Sequence, residues 1–231
     1  MIHLDTVSWR RARKDPAPVL SRLSFSVPQG GFRWLLGPSG AGKSSLLSLL
    51  HVETLPTSGR MVVLGQPVDD EQKRATFVML RRRIGMIHQD FRLMPGLSVA
   101  DNIALPLRLQ NRPEDEIRDE IRSILKWVGL GEYYDAPAER LSGGEQQRTA
   151  IARAIIHRPG LILADEPTNA LEESQAHRLL DMFAELSATG STVIVATHNE
   201  PPARRLPPPA PSLEPGHLVA AEPPEIGRAS C

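Results

Sequence analysis

The residues best suited to chemistry form a glycine-rich run that ends in a lysine and a serine. Positions 37–44 match the pattern G-x-x-x-x-G-K-[S/T] at every fixed position. Glycines let backbone N–H groups turn inward and approach phosphate oxygens closely. We expect Lys43 to contact the β- and γ-phosphates of ATP and Ser44 to offer its hydroxyl to Mg²⁺. The predicted phosphate loop consists of Gly37, Pro38, Ser39, Gly40, Ala41, Gly42, Lys43 and Ser44.

Two adjacent carboxylates follow a short apolar run. Residues 161–164 are Leu-Ile-Leu-Ala, which is typical of a central parallel strand covered on both faces, and Asp165 and Glu166 come next. Ligands of open α/β sheets bind at the carboxyl ends of the strands, so both side chains are expected to face the phosphates. We predict that Asp165 holds Mg²⁺ and that Glu166 polarises the attacking water as general base. A solvated acidic strand end is the alternative interpretation.

A second apolar run ends in a histidine. Residues 192–197 are Thr-Val-Ile-Val-Ala-Thr, and His198 follows them. A lone histidine at a strand end is more often an ordinary surface residue than a catalytic one. Its place behind the carboxylate strand favours a role for His198 as a sensor of the γ-phosphate.

These side chains need a sheet to position them, and the apolar pattern predicts one. Residues 32–36 indicate a buried strand before the phosphate loop, and residues 44–50 indicate a helix after it. That order disfavours a coincidental match in a glycine-rich turn. We expect sheet plus this one helix over residues 1–88, and a return to the sheet over residues 158–200.

Residues 91–157 are predicted to form a mainly helical arm, and residues 201–231 a proline-rich tail. The tail is expected to be extended or disordered, with only 216–219 resembling a strand. One apolar helix face in the arm is predicted from helical spacing. It consists of Ile117, Ile121, Ile124, Leu125 and Val128.

A run rich in serine and glycine lies between the phosphate loop and the carboxylates. Positions 141–148 read Leu-Ser-Gly-Gly-Glu-Gln-Gln-Arg. Ser142 and Glu145 have the spacing of a capping box, which predicts a helix over 146–156 and a second helix start suited to an anion. No lysine follows these glycines, so the run is not a second phosphate loop.

The run 141–148 resembles the signature sequence of ABC-type ATPases at every position. The resemblance covers about residues 1–200 and implies an α/β fold. That fold has a P-loop NTPase core of the ABC ATPase type, a helical subdomain at about 91–157 and an N-terminal antiparallel β region. It also implies a homodimer that sandwiches two ATP molecules head to tail. The γ-phosphate bound by one subunit would then be contacted in trans by Ser142, Gly143, Gly144 and Glu145 of the other.

The segment 84–90 resembles the Q-loop of the same family, which implies that Gln89 is a Mg²⁺ ligand and a hinge. Further segments are similar to the FtsE branch of bacterial cell-division ATPases, although lipoprotein-releasing and macrolide-export ATPases share much of the pattern. This similarity implies an integral membrane partner of the FtsX type and control of peptidoglycan hydrolysis. The segments are 80–85, 89–93, 101–107 and 126–130.

Several positions depart from the family pattern. Residues 169–172 read Asn-Ala-Leu-Glu where Gly-Asn-Leu-Asp is usual, which puts communication between the two sites in doubt. Asn199 replaces an aspartate, and His88 replaces an aromatic residue. The adenine-stacking aromatic is expected near Arg11, and Trp9 is the nearest ring. Trp9 is therefore the predicted adenine platform, with packing at a sheet edge as the alternative.

The composition limits the partners of the chain. Among 231 residues, 27 basic side chains balance 27 acidic ones, which gives no electrostatic case for nucleic acid. The single Cys231 fits a reducing cytosol. No signal peptide is evident at the start, and no apolar run is long enough to span a bilayer. We therefore expect peripheral attachment to the cytoplasmic face of the plasma membrane through a partner.

Three other functions compete with a division ATPase. The same ATP-hydrolysing dimer could serve a transporter or a lipoprotein-releasing complex. Soluble ABC proteins of translation or DNA repair usually carry two cassettes or a long coiled-coil insertion, and this chain has neither. A nucleotide-gated interaction module without turnover is the third alternative, and the altered residues 169–172 are its support.

Overall fold

The computed structural model describes residues 1–12, 15–169, 171–198, 212–214 and 217–219. The strands, in chain order, are β1 (Ile2–Trp9), β2 (Leu20–Val27), β3 (Phe32–Leu36), β4 (Ser58–Val63), β5 (Gln66–Pro67), β6 (Ile84–Ile87), β7 (Leu161–Asp165), β8 (Thr192–Thr197), β9 (Ser212–Glu214) and β10 (His217–Val219). The α-helices are α1 (Lys43–Leu50), α2 (Arg74–Arg81), α3 (Val99–Arg108), α4 (Glu114–Trp127), α5 (Gly143–Ile155) and α6 (Glu173–Ala188).

The N-terminal strands form a separate antiparallel sheet in the order β2-β1-β4-β5. Alternate side chains of β1 face the core, because Ile2 and Leu4 are buried while His3 and Asp5 are exposed. The predicted antiparallel N-terminal region is therefore confirmed.

The second sheet has the order β10-β9-β3-β8-β7-β6 and carries the candidate site. Strands β3, β8, β7 and β6 are parallel, so their carboxyl ends meet at one edge. Every residue of β7 is buried. Leu161 and Leu163 face one core, and Ile162 and Ala164 face the other. This confirms a central strand covered on both faces.

Three apolar clusters surround the sheets. One lies between the antiparallel sheet, α1 and one face of the parallel sheet. A second lies on the opposite face under α5 and α6, and a third joins α3, α4 and α5. The predicted apolar face of α4 lies in the third cluster, where Ile117, Ile121, Leu125 and Val128 are buried. Ile124 is partly buried and contacts the second and third clusters.

Two elements differ from the sequence expectation. Helix α2 lies within residues 1–88, where only the phosphate-loop helix was expected. It is eight residues long and begins after Lys73 without a side-chain cap, so neither its length nor a capping residue marks it in the sequence. Helix α5 begins at Gly143 rather than at Gln146, since the cap at Ser142 starts the helix and both glycines join its first turn.

The tail prediction falls largely outside the described residues. Within 201–231, the structure describes only β9 and β10, which pair antiparallel, and β9 joins β3 at Leu36 and Ser212. The strand expected at 216–219 matches β10 (His217–Val219). Residues 201–211, 215–216 and 220–231 are outside the description.

In the described part of the chain, none of the helices has both the length and the apolar character required to cross a bilayer.

Candidate functional site

The predicted phosphate loop connects the end of β3 to the start of α1. Gly40 and Gly42 have φ of 80° and 100°, a region that favours glycine over other residues. Gly42 caps α1 without a side-chain hydrogen bond, and the first turn of α1 contains no acidic residue. The first N–H groups of this helix therefore have no cap from a side chain and suit an anionic ligand.

Lys43 is a buried cation that lies against its own loop. Its Nζ donates hydrogen bonds to the carbonyl oxygens of Gly37 at 2.7 Å and Pro38 at 3.2 Å. The same Nζ lies 3.7 Å from Oε1 of Glu166, and both side chains are 7% exposed. The structure thus brings the phosphate loop and the second carboxylate together, although they are far apart in sequence.

Asp165 ends β7 and contacts the first turn of α1. Ser44 hydrogen-bonds the Asp165 carboxyl. Burial raises the pKa of Asp165, the bond from Ser44 opposes that rise, and the nearby Glu166 charge adds to it. Oδ1 of Asp165 is buried and has no hydrogen-bond partner among the described residues. A free carboxylate oxygen beside a serine hydroxyl is a donor set that fits Mg²⁺.

Glu166 is held in an unusual backbone conformation directly after β7. Its φ is 47°, and its N–H donates to the carbonyl of Ala196 at 2.9 Å. A non-glycine residue in this region is strained and is kept there by its surroundings. Nδ1 of His198 lies 2.7 Å from Oε1 of Glu166. Oε2 of Glu166 is buried and lacks a partner among the described residues.

Gln89 lies in the turn after β6, where its side chain is exposed. It lines a cavity of about 420 Å³ together with His88, Asp90, Arg92 and Asp165. The structure therefore brings Gln89 and Asp165 to one cavity, which is the arrangement that shared contact with a metal ion requires.

The signature run lies at the start of α5 and is exposed at Ser142 and Gly143. The predicted capping box is present, because Glu145 N–H donates to Oγ of Ser142 and Oε2 of Glu145 accepts from the Ser142 N–H. Hydrogen bonds from Ser142 and Tyr133 lower the pKa of Glu145 to about 2. In the described part of the protein, no hydrogen bond or ion pair joins residues 142–145 to the phosphate loop of the same chain.

Trp9 lies at the end of β1, where it is partly buried and packs against the first apolar cluster. Its carbonyl accepts from the N–H of Val19 at 2.9 Å. These contacts describe packing at the sheet edge, the alternative left open by the sequence. Adenine stacking by Trp9 stays a prediction.

Gln147, which contacts the turn after Glu166, was not identified from the sequence. Its Nε2 donates to the carbonyl of Pro167, the residue after Glu166. A signal for it existed in the spacing, because Gln147 lies on the buried face of α5 with Ile151 and Ala154. A polar residue on an apolar helix face calls for a hydrogen-bond partner.

Comparison with known proteins places this geometry in one family. A family model described as ABC transporter matches residues 20–169. The methionine import ATP-binding protein MetN of Photorhabdus laumondii is 38% identical over 211 residues, which are 89% of this chain and 60% of that protein. The cell division ATP-binding protein FtsE of Mycobacterium tuberculosis is 38% identical over 199 residues, which are 86% of each chain.

A solved structure agrees with these matches. The dimeric post-hydrolysis state of the ATP-binding cassette MJ0796, bound to ADP and Pi, superposes with a TM-score of 0.86 at 30% identity. The superposition covers 94% of this chain and 96% of that chain. The range matched by the family model includes the phosphate loop, the signature run and both carboxylates.

Proposed function

Since the chain belongs to the ABC transporter family of ATPases, we propose that it closes as a homodimer around two Mg-ATP molecules and drives a membrane partner. Hydrolysis in each site would use Lys43, Asp165 and Glu166 of one protomer. The signature run 142–145 of the other protomer would complete the site. The further proposal is that the partner is of the FtsX type, which places the chain at the cytoplasmic face of the membrane in control of peptidoglycan hydrolysis.

The observation that carries the proposal is the pair of buried carboxylates with unpartnered oxygens beside a buried lysine. Both contacts to Glu166, from Lys43 and from His198, are made to Oε1. Oε2 is therefore left to accept the proton of the attacking water. Asp165 Oδ1 and the Ser44 hydroxyl would hold Mg²⁺, which neutralises developing phosphate charge when it is bound.

The proposed dimer is supported by the absence, among the described residues, of any hydrogen bond between the signature run and the phosphate loop of the same chain. Ser142 is exposed and, among the described residues, makes no hydrogen bond to the phosphate loop of its own protomer. The capping box takes up the N–H groups of Ser142 and Glu145, which leaves those of Gly143 and Gly144 as the groups that an anion from another protomer would contact. The similar cassette MJ0796 is dimeric in its ADP- and Pi-bound state.

The test is Glu166→Gln, which keeps the shape of the side chain and removes the base. We expect ATP turnover to fall about 1,000-fold while ATP binding is retained. Sizing with ATP should show a stable dimer, because the sandwich forms and does not hydrolyse. Glu173→Gln, at an exposed position in the first turn of α6, is the matched control and should behave as wild type. A Glu166→Gln protein that stays monomeric at saturating ATP contradicts the shared site.

The surface that would receive the membrane partner is a groove of about 420 Å³ between α2, β6, α3 and α5. Arginines at 81, 82, 92 and 153 line it, and none of its described lining residues is a carboxylate. Val78 and Leu109 add exposed apolar side chains, at 37% and 60% exposure. The groove thus suits a short partner segment that combines apolar anchors with acidic side chains.

This groove is continuous with the candidate site. His88 and Arg92 line both the groove and the cavity that contains Gln89 and Asp165. Arg153 of α5 donates to the carbonyls of Phe91 at 2.7 Å and Arg92 at 2.6 Å. A partner bound in the groove would therefore contact the segment after Gln89, which supports a mechanical link between docking and the metal site.

A transport function is the second candidate, because the methionine import protein and the cell division protein have the same identity of 38% to this chain. Co-purification with co-expressed membrane proteins distinguishes the two. We expect capture of an FtsX-type protein, and Arg82→Glu in the groove should weaken it. Capture of a transporter permease instead favours the transport function.

Turnover separates both candidates from a switch without hydrolysis. Steady-state phosphate release is measured for wild type and Glu166→Gln in the presence of the captured partner. We expect wild type to release phosphate about 1,000-fold faster than Glu166→Gln. Equal rates would favour the nucleotide-gated interaction module.

A further inference from the structure

Gln147 joins the helix that begins with the signature run to the turn that holds Glu166. Its side chain is 2% exposed, and its Nε2 donates to the carbonyl oxygen of Pro167. Gln147 lies five positions after Ser142 on the same helix, while Pro167 follows Glu166 directly. The Gln147 side chain therefore connects two parts of the molecule. One is helix α5, whose first turn would contact the nucleotide of the partner, and the other is the turn that holds Glu166, the predicted general base of the same protomer.

Packing alone does not explain why this residue is an amide. Oε1 of Gln147 is buried and has no partner among the described residues. An apolar side chain of the same size would fill the space without burying an unpartnered Oε1, but it would not donate to the Pro167 carbonyl. The donor function of Nε2 is thus the property that distinguishes glutamine from methionine or leucine at this position.

The turn that Gln147 contacts is also held by backbone hydrogen bonds at Glu166. Glu166 has a φ of 47°, its N–H donates to Ala196, and its carbonyl accepts from the N–H of Asn169 at 3.3 Å. Pro167 has no N–H of its own, so its carbonyl is the group through which the backbone there can be held. A strained backbone of this kind persists only where its surroundings fix it.

We propose that Gln147 is a positioning residue that ties the orientation of Glu166 in one site to the position of Ser142 in the other. The inference rests on the proposed dimer, in which Ser142 contacts the nucleotide of the partner. Helix α5 moves as a rigid element, so a shift of its first turn toward that nucleotide also shifts Nε2 of Gln147. The Pro167 carbonyl follows, and the aim of Glu166 changes with it. Each site thereby responds to occupancy of the other.

The test is Gln147→Met, which keeps the length of the side chain and removes the donor. We expect kcat for ATP to fall about tenfold with KM changed less than about twofold, because the base is misaligned and binding is not affected. The Hill coefficient for ATP should fall from above 1 in wild type to about 1, since the link between the sites is lost. Gln147→Leu, with a different apolar shape, should give the same pattern.

The matched control is Asn102→Leu. Asn102 is also a fully buried amide, and it bonds the backbone of Met94, Leu97 and Ser98 in the helical arm. Asn102→Leu should lower the melting temperature as much as Gln147→Met or more, yet leave kcat and the Hill coefficient at wild-type values. Equal loss of kcat in both variants would reduce Gln147 to a structural residue and overturn the proposal.

A further measurement separates this inference from the proposed function. Dimer formation with ATP is tested in Glu166→Gln with and without Gln147→Met, and we expect a dimer in both. A monomer in both contradicts the dimer itself. A dimer in both, together with a wild-type kcat and Hill coefficient in Gln147→Met, contradicts only the coupling through Gln147.

Discussion

Among the described residues, two helices begin at glycine-rich turns, and they differ in how their first turns are capped. Helix α1 begins after Gly42 without a side-chain cap and without an acidic residue in its first turn. Helix α5 begins after Ser142, where Glu145 closes a capping box and accepts from both the N–H and the hydroxyl of Ser142. The start of α1 thus has no side-chain cap, whereas at the start of α5 the N–H groups of Ser142 and Glu145 are bonded to each other's side chains.

This difference teaches that a glycine-rich helix start is not by itself a finished phosphate site. The α1 start has its cation, Lys43, and its carboxylates, Asp165 and Glu166, all buried in the same chain. The α5 start is exposed, and its Ser142 hydroxyl donates to Glu145 of the same turn. The first half of the site is thus already assembled within one chain. In the proposed dimer, the second half would form only when another protomer presents its nucleotide.

The largest effect is expected when the cation is removed from the start of α1. Lys43→Ala should weaken ATP binding about 100-fold, roughly 3 kcal/mol, because a charged hydrogen-bond donor to the phosphates is lost. Titration with a fluorescent ATP analogue measures it. Lys73→Ala, at an exposed position, is the control and should bind as wild type. If Lys43→Ala binds ATP as tightly as wild type, the phosphate-loop assignment is wrong.

A smaller effect is expected when the cap is removed from the start of α5. Ser142→Ala should lower the free energy of unfolding by about 1 kcal/mol and kcat about tenfold, with ATP affinity unchanged. Ser98→Ala removes an equivalent cap, in which Ser98 accepts from Asp101 at the start of α3. It should cost similar stability and leave kcat intact. Equal kcat in the two variants would show that Ser142 is only a cap.

The smallest effect concerns stability against pH, and its sign differs between the two helix starts. Burial raises the pKa of Asp165, so its ionised form destabilises the fold above that raised pKa. Asp165→Asn should therefore raise the free energy of unfolding at pH 7, and the gain should vanish below the ordinary aspartate pKa of about 3.8.

Glu145 gives the opposite dependence. Its pKa is lowered from 4.5 to about 2, so its contribution is present above pH 4.5 and is lost as the pH falls toward 2. Glu145→Gln should thus lower stability at pH 7, where Asp165→Asn raises it. Chemical denaturation at pH 7 and at pH 3 measures both, and a shared sign at pH 7 contradicts the comparison.

Much of the fold follows from local sequence signals. The apolar runs predicted β3, β7 and β8, and the glycine pattern predicted the phosphate loop that joins β3 to α1. These elements are buried on both faces or have fixed turn chemistry, so local pattern and tertiary structure agree. Helix α2 was not predicted in this way, because it is only eight residues long and Lys73 at its start provides no side-chain cap.

The candidate site was predictable residue by residue but not contact by contact. The motifs identified Lys43, Asp165, Glu166 and His198, and the structure brings all of them together. The link from Gln147 to Pro167 depends on how α5 packs against the sheet, which a local pattern does not encode. The family assignment is confirmed by the family model, the relatives and the similar solved structure.

The placement of three side chains along α5 makes its length as important as its composition. Ser142 lies immediately before the first turn of α5, and Gln147 in the middle of the helix donates to Pro167. Arg153, near the end of the helix, donates to the carbonyl of Phe91 in the turn after β6. Deleting one residue between Gln147 and Arg153 would rotate everything beyond it by about 100° around the helix axis. The Arg153 side chain would then point away from the turn and lose its hydrogen bond to Phe91, although all of these residues would still be present. A point substitution in α5 can leave the relative orientation of these three side chains unchanged, whereas an insertion or deletion changes it.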